Sequence, residues 1–230
     1  MKLSAYLSSL ILILVATVLP VNAQETTWQT AEPSSLDNPE VQRVADRLKQ
    51  ASIISGTFSQ EKWMHGMKVP IRSSGNFIFW RERGLHQAAQ KPFINEFTIT
   101  ESQLINWSAD GRGTLIKENA AIVQREINKT LLSFFNADIA LIAQRFEIEW
   151  AFSSDSRWRL TLTPKLKALA EHMNSIELSG RDLVESLSIT AGNGDRTLMH
   201  FSEQSEREAL TAQECQKFFL EASMQCQSLK

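Results

Sequence analysis

Four histidines, His65, His86, His172 and His200, are the side chains best suited to general-base or metal chemistry near neutral pH, and no two of them stand at a ligand spacing. The chain holds no G-x-S-x-G elbow, no H-E-x-x-H and no phosphate-cradling glycine loop. Glu147 and Glu149 could form an acid–base pair, but they alternate with Phe146, Ile148 and Trp150 and read as the wet side of a strand. Asn106-Trp107-Ser108 and Asn128-Lys129-Thr130 fit a glycosylation pattern, which means nothing if the source is bacterial. The reading is a protein that is not an enzyme, with no catalytic residues, no cofactor and no metal.

Cys215 and Cys226 are the remaining reactive side chains, a candidate disulfide if the protein is exported. Cys215, Phe218, Phe219, Ala222 and Cys226 also fall on one helical stripe, and Thr211 with Glu214 fits a capping box. A continuous helix would hold the two sulfurs about 16 Å apart, beyond bonding reach. Either the helix breaks before Cys226 or the bond does not form.

The elements that position these groups belong to an ordinary globular chain. Of 230 residues, 43% are hydrophobic and 22% charged, with 9 Gly and 6 Pro, too apolar for a disordered tail and too poor in Gly and Pro for a fibrous one. Two cysteines exclude a disulfide-dense miniprotein. A net charge of −2 gives no argument for nucleic acid.

Met1-Lys2, the apolar run Leu7–Leu19 and Val21-Asn22-Ala23 have the three-part layout of a signal peptide cleaved after Ala23, and the run is too short for a membrane span. Its removal leaves 207 of the 230 residues, and the loss of Lys2 takes the charge from −2 to −3. The organisation reads as signal peptide 1–23, a flexible polar segment 24–36, one domain 37–205 and a helical tail 206–230. The product is expected to be exported as a soluble monomer.

Asp37 or Asn38 caps a helix with Pro39 inside its start, and Val41, Val44, Ala45 and Leu48 give it one apolar face. From Ile54 the period becomes two. Ser73 to Arg81 puts Gly75, Phe77, Phe79 and Arg81 on one face, with Ser74, Asn76, Ile78 and Trp80 on the other. Phe93, Phe97 and Ile99 are expected to share a face of the next strand, and Asp110-Gly111 marks a turn. Phe146–Phe152 and Trp158–Leu162 alternate around Ser153–Ser156 as a hairpin, and further strands follow near Ser175–Gly180, Leu183–Thr190 and Arg196–Ser202. Lys129–Arg145 interrupts them with two short helices broken at Asn136. The fold class is mainly β with α: an incomplete antiparallel barrel, or strongly curled sheet, with a helical lid.

Gly56-Thr57-Phe58-Ser59-Gln60, followed by Gly75-Asn76-Phe77-Ile78-Phe79-Trp80-Arg81, resembles the opening of the periplasmic LolA lipoprotein carrier family. Leu141-Ile142-Ala143, Trp158 to Pro164 and Ile176 to Phe201 are similar to its later segments, so the resemblance runs from Pro39 to Ser202. It departs at Glu82, where the family has proline, near Gln87, where it has an aromatic, and at Thr100-Glu101-Ser102, where it has Ser-Asp-Gly. The chain looks like a divergent member. The resemblance implies an incomplete barrel whose lid covers a cavity for acyl chains. It also implies passage of an acylated lipoprotein or other lipid from an inner-membrane donor transporter to an outer-membrane acceptor. Arg81 matches the family's arginine for lid opening and cargo transfer.

A shuttle for chains that leave water at about 0.8 kcal/mol per methylene needs a large apolar concavity. Twelve Phe and six Trp suit one. The candidate lining is Phe77, Phe79, Phe97, Ile99, Trp150 and Trp158, closed by Leu131, Phe135, Ile139 and Ile142. Two other classes stay open: a periplasmic lipid sensor that restrains a partner protein, and an acyl hydrolase or transferase, whose mark would be a nucleophile paired with His65, His86 or His200.

Overall fold

The computed structural model describes residues 28–30, 37–116, 129, 132–221 and 223–227, so the signal segment and Leu131 lie outside the described residues. Helix α1 (Pro39–Gln50) starts where the sequence dictates: the Asn38 side chain accepts from the Glu40 N–H at 2.8 Å, and Pro39 occupies a position with no donor to lose. Val41, Val44, Ala45 and Leu48 are its buried face.

Among the described residues there are twelve strands: β1 (Trp28–Thr30), β2 (Ile53–Trp63), β3 (Ile71–Trp80), β4 (Gly84–Lys91), β5 (Asn95–Thr100), β6 (Leu104–Trp107), β7 (Gly113–Leu115), β8 (Phe146–Ser153), β9 (Trp158–Pro164), β10 (Met173–Gly180), β11 (Val184–Ala191) and β12 (Arg196–Arg207). They form one sheet in the order β1-β8-β9-β10-β11-β12-β2-β3-β4-β5-β6-β7. Every pairing is antiparallel. The sheet does not close: among the described residues no ladder joins β1 to β7. Between β7 and β8 the chain makes a helical turn at 132–135, reverses at Asn136-Ala137, and forms α2 (Ile139–Arg145), capped by Asp138 on the Leu141 N–H at 3.0 Å.

Phe58, Phe77, Phe79, Leu85, Trp150, Trp158, Leu160, Ile176, Leu187 and Phe201 point to one face of the sheet and pack with α1, residues 132–135 and α2 in the main core. On the other face Ile53 and Trp80 join Leu210, Phe218 and the two cysteines in a second, smaller core. Sheets buried on both faces lose the clean wet–dry alternation.

Three expectations need correction. A strand, β4, intervenes before β5, and Phe93 does not share a face with Phe97 and Ile99: it stands 81% exposed in the turn after the cis Lys91–Pro92 bond. β4 escaped notice because its inward positions after Leu85 are Gln87 and Ala89, a weak apolar signal. The segment 24–36 is not loose throughout, since Trp28–Thr30 pairs with β8 and the Trp28 ring lies 4.2 Å under the Arg159 guanidinium. Nor does the tail begin at 206, because β12 continues through a bulge at Ser202–Ser205 to Arg207 and pairs there with Ile53.

The tail packs on the other, outer face of the sheet. After α3 (Lys167–Ala170) between β9 and β10, the chain ends in α4 (Ala212–Gln216) and α5 (Met224–Gln227). Thr211 and Glu214 form the capping box. The helix stops after Gln216, the chain turns back, and Cys215 and Cys226 are bonded with their Cα atoms 5.5 Å apart.

Candidate functional site

Strand register builds the inner site. Gly56, Phe77, Gln87, Phe97 and Asn106 stand opposite one another across β2 to β6, and Ile54, Phe79, Leu85, Ile99 and Leu104 form the adjacent row. The register needs Gly75, since a Cβ there would meet the Ala88 carbonyl oxygen at 2.0 Å.

Of the candidate lining, Phe77, Phe79, Trp150 and Trp158 lie in the main core together with the lid residues Phe135, Ile139 and Ile142. Ile99 is buried and Phe97 half-buried on the same face, outside that cluster. The rings meet one another: Phe79 with Phe135 at 4.9 Å, Phe77 with Phe201 at 5.0 Å, Phe135 with Phe201 at 6.0 Å and Trp150 with Trp158 at 6.0 Å. Phe201 was missed as a lining residue, although its alternation with Met199 in β12 marked it. A groove of about 470 Å³ runs along the seam where α1 (Val41, Ala45, Lys49) faces Asn136 and Ile139.

Arg81 fastens this lid. Its Nε and Nη2 donate to the Ala51 carbonyl at 3.0 and 2.7 Å, Nη2 also to the Leu48 carbonyl, and Nη1 to the Phe135 carbonyl at 3.1 Å. One side chain at the end of β3 thereby holds both the C-terminal end of α1 and the turn at 132–135. A helix C-terminus presents unpaired carbonyls and partial negative charge, which suits a cation. Burial pulls the guanidinium pKa below its ordinary value, yet it stays charged at any physiological pH.

The outer face holds a second polar cluster. Trp107 Nε1 donates to Thr98 Oγ1 at 2.9 Å, and Thr98 donates to the Lys217 carbonyl at 2.7 Å. His86 Nδ1 lies 2.8 Å from Thr98 Oγ1, its Nε2 lies 3.1 Å from Glu96, and Lys217 Nζ reaches the same carboxylate oxygen at 2.7 Å. A hydroxyl, an imidazole and a carboxylate in line is the outline of a hydrolytic triad. Here the hydroxyl is fully buried and its proton is committed to Lys217, so the cluster ties the tail to the sheet. Burial, aided by Lys217, pushes the His86 pKa down to about 4. Among the described residues no group of His, Cys, Asp and Glu is placed to hold a metal.

Residues 49–216 match the family described as outer membrane lipoprotein carrier protein LolA. No curated protein matches the chain. Among solved structures it is similar to a LolA superfamily protein of Nitrosomonas europaea, with 7% identity, 74% of this chain and 94% of that one covered, and a TM-score of 0.39. A chain of the Pseudomonas aeruginosa MucA/MucB complex shows 14% identity, coverage of 80% and 60%, and a TM-score of 0.43. LprF from Mycobacterium bovis shows 9% identity, coverage of 79% and 97%, and a TM-score of 0.39.

Proposed function

The chain belongs to the outer membrane lipoprotein carrier protein LolA family, and from that premise we propose that it is a periplasmic carrier. It shelters the acyl chains of a lipoprotein or another lipid beneath its lid and moves them from an inner-membrane donor toward an outer-membrane acceptor, with residues 1–23 removed on export. It catalyses no reaction.

The observation that carries this reading is the Arg81 clasp over an aromatic interior. Phe77, Phe79, Phe135 and Phe201 meet through ring faces and edges and give the interior a broad apolar surface against which an acyl chain can pack. An entering chain of about fourteen methylenes would gain roughly 11 kcal/mol of transfer free energy. The four hydrogen bonds of Arg81, at about 1.5–3 kcal/mol each, cost about 6–12 kcal/mol to break, so lipid entry is of the size needed to displace the lid.

The test is to purify the exported protein and analyse its solvent extract by mass spectrometry, then to titrate the delipidated protein with a pyrene-labelled acyl probe. A stoichiometric acyl-bearing molecule, or saturable probe uptake, supports the carrier. An empty protein that also ignores the probe sinks it.

A further inference from the structure

We infer that Gln87 is a polar subsite inside the apolar interior, and that the cargo presents to it an uncharged acyl carbonyl, an ester or an amide. This inference rests on the carrier reading and narrows its substrate class.

Gln87 is 5% exposed, and the register sets it between Phe77 of β3 and Phe97 of β5, on the face that carries the main core. Along its own strand the same face shows Leu85 and Ala89, both packed with that core. Its Nε2 is buried and has no hydrogen-bond partner among the described residues. An amide donor left unpaired away from water costs about 1–3 kcal/mol, and an apolar residue of like volume at this position would avoid that cost. The sheet itself makes no use of the side chain: the ladder to β3 and β5 runs through the backbone.

The chemistry of the missing partner follows from the donor. Nε2 offers only N–H, so the partner brings an acceptor oxygen. A carboxylate or phosphate would need a cation beside it. The side chains flanking Gln87 on this face are Phe77, Leu85, Ala89 and Phe97, and the guanidinium of Arg81 is committed to the Leu48, Ala51 and Phe135 carbonyls. A neutral carbonyl at an acyl linkage fits, and a plain hydrocarbon or polyene chain would leave the donor unpaired.

Two pyrene probes of equal chain length, one a plain alkyl pyrene and one ending in a methyl ester, test this on wild type and Gln87→Met by fluorescence titration. One neutral hydrogen bond predicts that wild type favours the ester about fivefold. Gln87→Met should abolish that preference, with an unchanged circular-dichroism spectrum reporting a folded variant. Equal affinity of wild type for the two probes overturns the inference, with or without a foldable variant, and so does a preference that survives in Gln87→Met. In both cases alkyl uptake leaves the carrier reading standing. Uptake of neither probe removes the carrier reading and this inference with it.

Discussion

Phe79 and Trp80 are adjacent in β3 and anchor two separate cores. Phe79 is fully buried on the inner face, 4.9 Å from Phe135 of the lid. Trp80 lies edge-on to Phe218 of the tail at 5.4 Å, and Arg83 sits over both Trp80 and Phe219. The sheet at this point separates the core beneath the helices from the core beneath the tail.

Truncating each side chain should separate those roles. Phe79→Ala and Trp80→Ala are each expected to cost about 3–5 kcal/mol, read as a lowered melting temperature. Only Phe79→Ala should also change the uptake of an acyl probe. Equal effects of both on uptake would mean that the two faces are not independent.

Arg81→Leu strips several donors from carbonyls at the end of α1 and at Phe135. Hydrogen exchange should accelerate at residues 48–52 and 135–138, and cargo should be retained or transferred poorly to an acceptor. Arg81→Lys should restore little, because a single ammonium cannot span carbonyls on two elements. Unchanged exchange in Arg81→Leu would argue that the clasp does not hold the lid.

Removing Cys215 and Cys226 as a pair, by substitution with Ser, frees a loop of eleven residues and should cost about 2–3 kcal/mol. Reduction of the wild type should cause a similar fall in melting temperature. Because the bond fastens the outer core, probe uptake by the folded variant should match wild type.

Acid should weaken the fold from the outer face. His86 titrates near 4 when folded, against about 6.5 in the unfolded chain, so between those values the unfolded state binds the extra proton and stability falls as pH drops. Glu214, held down to about 2 chiefly by its bond to Arg207, contributes stability that is lost as pH falls from about 4.5 toward 2. Denaturation midpoints measured from pH 7 to pH 3 should therefore decline throughout. His86→Gln should flatten the upper part of that decline, and an unaltered slope would show that His86 is not its source.

Gly75→Ala should be among the most damaging single substitutions, because the added carbon would meet backbone rather than a movable side chain. A circular-dichroism melt lowered by less than a few degrees would contradict the tight β3–β4 approach.

The helix, the parity of β3 and the β8–β9 hairpin were legible because strong caps and strict alternation wrote them in the sequence: Asn38-Pro39, Phe77 with Phe79, and Ser153–Ser156. What escaped was set by tertiary contact. β4 carries a buried polar residue where the pattern wants an apolar one. β1 is three residues long and exists only against β8. The tail's apolar stripe left open whether one helix ran through to Cys226 or broke before it; Trp80 and the disulfide draw that stripe around a corner. The resemblance put Arg81 at the lid; its carbonyl partners come from residues 30 to 54 positions away, which no local pattern records.

The acceptors of the Arg81 clasp are all main-chain carbonyls. A carbonyl has no proton to gain in mild acid, and the guanidinium has none to lose in mild base. The fastening is therefore blind to acidity, unlike a carboxylate latch. On the carrier reading proposed above, release then falls to touch: a lipid tail pressing from below, or another protein taking hold of the helix from above.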